Sequence, residues 1–178
     1  PTATRLWETN MSSRIQKGMI AGGVATLVVS AVDLVAGLVQ NMMQAPGSER
    51  MFHSFASLLA TMARSVLGEG MGHMWVGWLI HLLAGTFILG PAFAVLAPRL
   101  PTDQPETKGI LFAVGAWLLM CLTIMPLAGL GIFGLAAGFG TMAWMLVSNV
   151  IFGIVLGRVF ARQHGEIGHA KRHLPIAE

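Results

Sequence analysis

Four polar residues, Asp33, His81, Thr123 and Asn149, stand out because each interrupts a long apolar run. An aspartate beside a histidine can exchange a proton near neutral pH, and ionisable groups inside a membrane often mark proton, ion or ligand paths. The same groups can instead form a purely structural network, because an unpaired polar group in hydrocarbon is costly. The sequence leaves both interpretations open, together with a third in which the helices rotate these groups apart.

The runs that carry these residues have the length of membrane spans. A helix that rises 1.5 Å per residue needs about 20 residues to cross a hydrocarbon core of about 30 Å. The composition agrees, since 54% of the 178 residues are hydrophobic and 11% are charged, against about 25% charged in soluble domains. We predict an all-α, integral membrane four-helix antiparallel bundle, a single transmembrane domain over residues 1–178. The predicted spans are about 18–39, 74–96, 109–127 and 141–160.

Counting residues inward from the non-cytoplasmic end of each span places the polar residues at a common depth. Asp33, His81 and Asn149 lie about six to eight residues from that end and Thr123 within about six, which corresponds to one layer roughly 6 to 12 Å below the membrane boundary. We therefore predict a contact between Asp33 and His81 in the interior, with Asn149 and Thr123 completing the hydrogen bonding.

Glycines at helical spacing indicate where the spans pack against each other, because small residues let two backbones approach closely. Gly77 and Gly85 flank His81 at steps of four residues and share its helix face. The predicted helix-packing positions are Gly22, Gly37, Gly77, Gly85, Gly153 and Gly157.

The segment between the first two spans has apolar and polar residues on opposite faces over about 50–67. This spacing predicts an amphipathic helix lying in the membrane interface. Lys and Arg flank the opposite ends of the spans, and only Arg50 and Arg64 fall on this side. The positive-inside rule then predicts cytoplasmic tails at 1–16 and 162–178. Basic residues in these positions indicate orientation and contact with membrane lipid, not nucleic acid.

Cofactor and catalytic signatures are scarce. His73, Met71 and Met74 are the candidates for a soft metal ion, but methionines at helical spacing suit packing, so we expect no metal and no other cofactor. His81 is the one histidine well inside a span. The spans therefore offer no second histidine to complete a haem site of two histidines. The sequence has no P-loop, G-x-S-x-G, H-E-x-x-H or dinucleotide fingerprint, and we expect no enzymatic activity.

Three apolar stretches, HLLAGTFILGPAFAVLAPRLP, KGILFAVGAWLLMCLTIMPLAG and NVIFGIVLGRVF, lie in the second, third and fourth spans. Together they resemble a bacterial family of small four-span inner-membrane proteins known only as a domain of unknown function. The resemblance covers most of residues 17–162. It implies a fold and a location in the bacterial inner (cytoplasmic) membrane, and no activity.

Two kinds of function fit these features. The first is a non-catalytic accessory or structural subunit that packs against other integral membrane subunits of a larger, electron-transfer type complex. The alternative is a small stand-alone carrier or a ligand- or ion-binding membrane protein that uses the layer of Asp33, His81 and Asn149.

Overall fold

The computed structural model describes residues 2–45 and 48–165, and for residues 2–10 only the backbone. Throughout these ranges the regular structure is helical, with no strand. The α-helices are α1 (Thr2–Met43), α2 (Phe55–Leu67), α3 (Met74–Leu83), α4 (Gly90–Leu96), α5 (Pro105–Leu122), α6 (Ile124–Leu127) and α7 (Phe139–Gln163). A π-helical turn, Ala84–Leu89, joins α3 to α4, and short 3₁₀ turns lie at Glu69–Met71, Ala97–Arg99 and Ile132–Ala137.

Four of the helical stretches are long and apolar enough to cross a membrane, with mean hydropathies from 1.9 to 2.3. They are Met11–Met43, Met74–Arg99, Pro105–Leu127 and Phe139–Gln163, and each contains one predicted span. Residues 2–16, most of the predicted cytoplasmic tail 1–16, are helical and belong to α1. In the other predicted tail, α7 continues through Gln163, and residues 166–178 lie outside the described part of the chain.

Prolines explain two irregularities in the spans. Pro126 has no N–H to donate to the helix, and the helix is interrupted at Thr123, where α5 gives way to α6. Pro91 likewise follows the π-helical turn, in which the Gly90 amide bonds to the Gly85 carbonyl five residues back. Both irregularities follow from the missing proline donor.

Glycines allow two pairs of spans to approach closely. A Cβ added at Gly22 would overlap the carbonyl oxygen of Gly85, and one at Gly109 would overlap that of Gly153. Gly157 meets the Pro105 carbonyl in the same way. The predicted packing position at Gly37 is wrong, because no atom lies within 4 Å of a Cβ built there. Gly18, Gly90, Gly109 and Gly140 make close backbone contacts that the sequence did not single out.

Candidate functional site

A short extended segment before α2 is held by side chains from two spans. The Gln40 side-chain amide donates to the Phe52 carbonyl oxygen (3.2 Å), and its Oε1 accepts from the Phe52 amide (3.0 Å). The His53 amide donates to Thr141 Oγ1 (3.0 Å). Because these residues have no helical hydrogen-bond partners of their own, the side chains satisfy their partly buried backbone groups.

Asp33 belongs to the same arrangement. Its side chain is 2% exposed; Oδ1 accepts from Trp144 Nε1 (2.8 Å) and Oδ2 from the Phe55 amide (3.3 Å). Phe55 is the first residue of α2, and the preceding Ser54 caps the helix by accepting from the Ser57 amide. A carboxylate is favourable at a helix N-terminus. Asp33 therefore acts as a positioning residue for α2.

Helix α2 runs alongside the first turns of α3 in the opposite direction. The contacts that align the two helices are Phe55 with His81, Ala56 with Gly77, and Arg64 with Gly72. The helix begins at Phe55 and not at about residue 50, because the extended segment precedes it. Its apolar face, predicted to rest in the membrane interface, packs in part against α3.

The predicted contact between Asp33 and His81 is wrong. Phe55 lies between them: its backbone amide donates to Asp33, and its ring stacks on the imidazole with centroids 5.2 Å apart. His81 Nε2 is buried and has no hydrogen-bond partner in the described part of the chain. Counting depth along each span could not reveal that a third element separates the two side chains.

His81 borders a cavity of about 110 Å³ that we call the His81 cavity. All four spans and α2 contribute to it, and most of its lining is apolar. The lining residues are Thr26, Val29, Phe55, Leu59, His81, Ala84, Gly85, Leu89, Met120, Ser148, Asn149 and Phe152. The π-helical turn supplies three of them, Ala84, Gly85 and Leu89; such turns are frequent at functional sites.

The polar lining of the His81 cavity is only partly satisfied. Asn149 Nδ2 donates to the Met145 carbonyl (2.8 Å), and Thr26 Oγ1 donates to the Gly22 carbonyl (2.7 Å). Ser148 Oγ, like His81 Nε2, is buried without a partner among the residues described. The cavity therefore brings two of the predicted polar residues together, His81 and Asn149, and adds a serine.

Thr123 does not join them. It is exposed, and its hydroxyl donates to the Leu119 carbonyl (2.6 Å), so its predicted place in the polar layer is wrong. The three residues suggested for a soft metal, His73, Met71 and Met74, are exposed near the start of the second span and do not line the cavity. Within residues 2–45 and 48–165, no group of three or more His, Cys, Asp or Glu could hold a metal ion.

Several residues of this region carry no distinctive signal in the sequence. Gln40 and Trp144 resemble ordinary residues near a span end, and Phe55 resembles one more apolar position of an amphipathic helix. Ser148 could have been noticed, since it directly precedes Asn149 inside an apolar run.

The model described as "Family of unknown function (DUF6789)" matches residues 12–171. The chain belongs to this family. The match spans every residue of the His81 cavity and the segment that docks beside it, and it agrees with the expected membership in a family of unknown function. No curated protein and no solved structure matches the chain. For this DUF6789 protein, function has to be inferred from the cavity.

Proposed function

We propose that this DUF6789 protein is a non-catalytic membrane protein that binds a small, neutral, polar molecule in the His81 cavity. The observation that carries the proposal is the pair of buried polar atoms without partners, His81 Nε2 and Ser148 Oγ, on residues that border one cavity. A buried polar group left unpaired costs about 1–3 kcal/mol. A ligand that supplies hydrogen bonds to both groups would recover that cost.

The size and charge of the His81 cavity narrow the ligand class. A water molecule occupies about 30 Å³ in the liquid, so 110 Å³ accommodates a few waters or one small organic group. No Asp, Glu, Lys or Arg lines the cavity, so an ionic ligand would have no counter-charge there. Ser148 and His81 are not hydrogen-bonded to each other, whereas an activated serine nucleophile requires a base in hydrogen-bond contact. These features favour binding over catalysis.

Native mass spectrometry of the full chain purified from its own membranes tests this role. We expect a small-molecule adduct at one copy per chain that is lost in Ser148→Val and in His81→Leu. The matched controls are Ser65→Val and His73→Leu, which change an exposed serine and an exposed histidine outside the cavity. A wild-type protein with no adduct, or an adduct retained in both cavity variants, would contradict the proposal.

The proposal includes a location and a topology: a bacterial inner-membrane protein, built as an antiparallel four-helix bundle, with both termini in the cytoplasm. The distribution of Lys and Arg supports this orientation. The short connector between Arg99 and Pro105 supports opposite directions for the spans it joins. In a Cys121→Ala background, Glu49→Cys should react with an impermeant maleimide on intact spheroplasts, and Ser13→Cys only after permeabilisation. The reverse labelling pattern would refute the orientation.

A second role, an accessory subunit of a larger inner-membrane complex of the electron-transfer type, is favoured by a different observation. Large apolar side chains remain exposed at the end of the molecule that carries α2. They include Met42, Met43, Met51, Val66 and Leu67. A partner subunit packed on this surface would bury them.

Site-specific photo-crosslinking in native membranes tests the accessory role. A crosslinker at Leu67 should capture one protein in stoichiometric amount, and a crosslinker at Leu27, an equally exposed position in the middle of the first span, should not. Crosslinks to lipid alone from both positions would count against a partner subunit.

A further inference from the structure

A second cavity lies at the opposite end of the spans, where α5 begins and α7 ends, beside Arg14 of α1. Its volume is about 250 Å³, and all four spans contribute residues to its wall. Three basic side chains, Arg14, Lys108 and His164, converge on it, and none of the lining residues that the structure describes is acidic. We call it the basic cavity. Like charges gathered in one concave site create a local field that attracts an anion.

Two nitrogens of these basic side chains are buried without a hydrogen-bond partner among the described residues. Arg14 Nη2 donates to the Ala94 carbonyl (3.1 Å), but Arg14 Nε has no partner in the described structure. His164 Nδ1 lies 2.9 Å from the Phe160 carbonyl, which fixes Nδ1 as the donor; Nε2 is buried and has no partner in residues 2–45 and 48–165. Nε2 can donate as well once the imidazole is protonated. An anion in the cavity would accept from both nitrogens.

The remainder of the wall suits an anion attached to an apolar body. Helix α5 begins at Pro105 beside the cavity, and no side chain caps its first turn, so the positive end of its dipole is available to an anion. Glu106 is paired outside the cavity with Arg158 (2.8 Å). Phe93 and Phe160 line the same wall, and their rings pack edge to face with centroids 5.3 Å apart.

We infer that the basic cavity binds a phosphate group, held by Arg14, Lys108 and His164. Basic pockets between helices near a membrane surface recognise lipid headgroups. The position at the span ends and the aromatic wall favour the phosphate of an anionic phospholipid over free phosphate. This site is independent of the ligand proposed for the His81 cavity, because no lining residue is common to the two cavities.

Binding is tested with the full chain in a neutral detergent by native mass spectrometry, with phosphatidylglycerol, phosphatidylcholine and inorganic phosphate as separate probes. We expect phosphatidylglycerol to bind more tightly than phosphatidylcholine. Lys108→Gln and His164→Gln should each weaken that binding roughly tenfold, since each removes a charge-assisted contact. The control is Arg162→Gln, which removes an exposed charge near the same span ends but outside the cavity, and it should change the affinity less than twofold.

Inorganic phosphate separates the two sources. If millimolar phosphate displaces phosphatidylglycerol, and if phosphate binding is weakened by the Lys108 and His164 variants, the site is supported and its ligand is soluble phosphate. Arg14→Gln should have the largest effect, but it also removes the bond to Ala94 and can impair folding; Lys108→Gln leaves that bond intact. Equal binding of both lipids without any binding of phosphate, or an equal loss in Arg162→Gln and Lys108→Gln, would overturn the inference.

Discussion

The docking of the segment before α2 provides a quantitative test through Gln40→Met. Methionine keeps the approximate volume of glutamine but cannot bond to the Phe52 backbone, so the variant removes two hydrogen bonds with little change in packing. At about 1 kcal/mol for each bond, the free energy of local opening should fall by about 2 kcal/mol. Since 1.4 kcal/mol corresponds to a factor of ten, the Phe52 amide should exchange about 30-fold faster.

Hydrogen–deuterium exchange of the purified protein measures this effect on the peptide that contains Phe52 and His53. Thr141→Val provides a graded comparison, because it removes one bond to the segment, that of the His53 amide; it also removes the bond from the Thr141 hydroxyl to the Ala137 carbonyl. A loss of about 1 kcal/mol at His53 predicts exchange roughly fivefold faster there. The control is Gln44→Met, since within the described ranges the Gln44 side-chain amide bonds to the exposed Ser48 carbonyl and not to the docked segment. It should leave the exchange of Phe52 and His53 unchanged.

Two results would refute this account of the docked segment. One is exchange at Phe52 within twofold of wild type in Gln40→Met, which would mean that the side-chain bonds do not hold the segment. The other is an equal acceleration along α3 and α7, which would mean that the variant destabilises the whole fold and not one local contact.

Three further predictions concern packing and burial. Gly109→Ala should destabilise the fold by about 2 kcal/mol or more, because the added Cβ meets the backbone of the fourth span. Gly115→Ala on the same helix has open space around it and should be neutral or slightly stabilising. Unfolding in mixed micelles measures both variants, and equal effects would contradict the close contact at Gly109. Trp144→Phe should cost about 2 kcal/mol, because Asp33 Oδ1 is left buried without its hydrogen-bond donor, while Trp75→Phe at an exposed position should stay within about 0.5 kcal/mol. Cys121 is fully buried, so maleimide should label it at least roughly 100-fold more slowly than a cysteine peptide; rapid labelling of the folded protein would show that the core opens easily.

Much of the fold could be predicted because membrane spans are encoded locally. The length of each apolar run and the scarcity of charges within it are properties of adjacent residues, and they place four helices of spanning length. The start of α2 was predicted less well: helical periodicity extends back to about residue 50, but residues 52–54 are not helical, and side chains of other helices bond to the backbone of Phe52 and His53.

The candidate site was predicted only in part. His81 and Asn149 share a cavity, as their common depth suggested, because depth depends only on the helical rise. Which groups face each other depends on the rotation of each helix and on what lies between them. Asp33 accordingly bonds to Trp144, which is 111 positions away in sequence, and Thr123 turns away from the cavity.

The amino-acid sequence by itself determined that the chain is helical, apolar over four spans and rich in small residues where backbones can meet, because these properties follow from composition and spacing. Only the tertiary structure decided that Phe55 separates Asp33 from His81, that Ser148 borders the same cavity, and that Arg14, Lys108 and His164 converge at the other end. Those arrangements depend on contacts between residues far apart in the chain, and no local pattern specifies them.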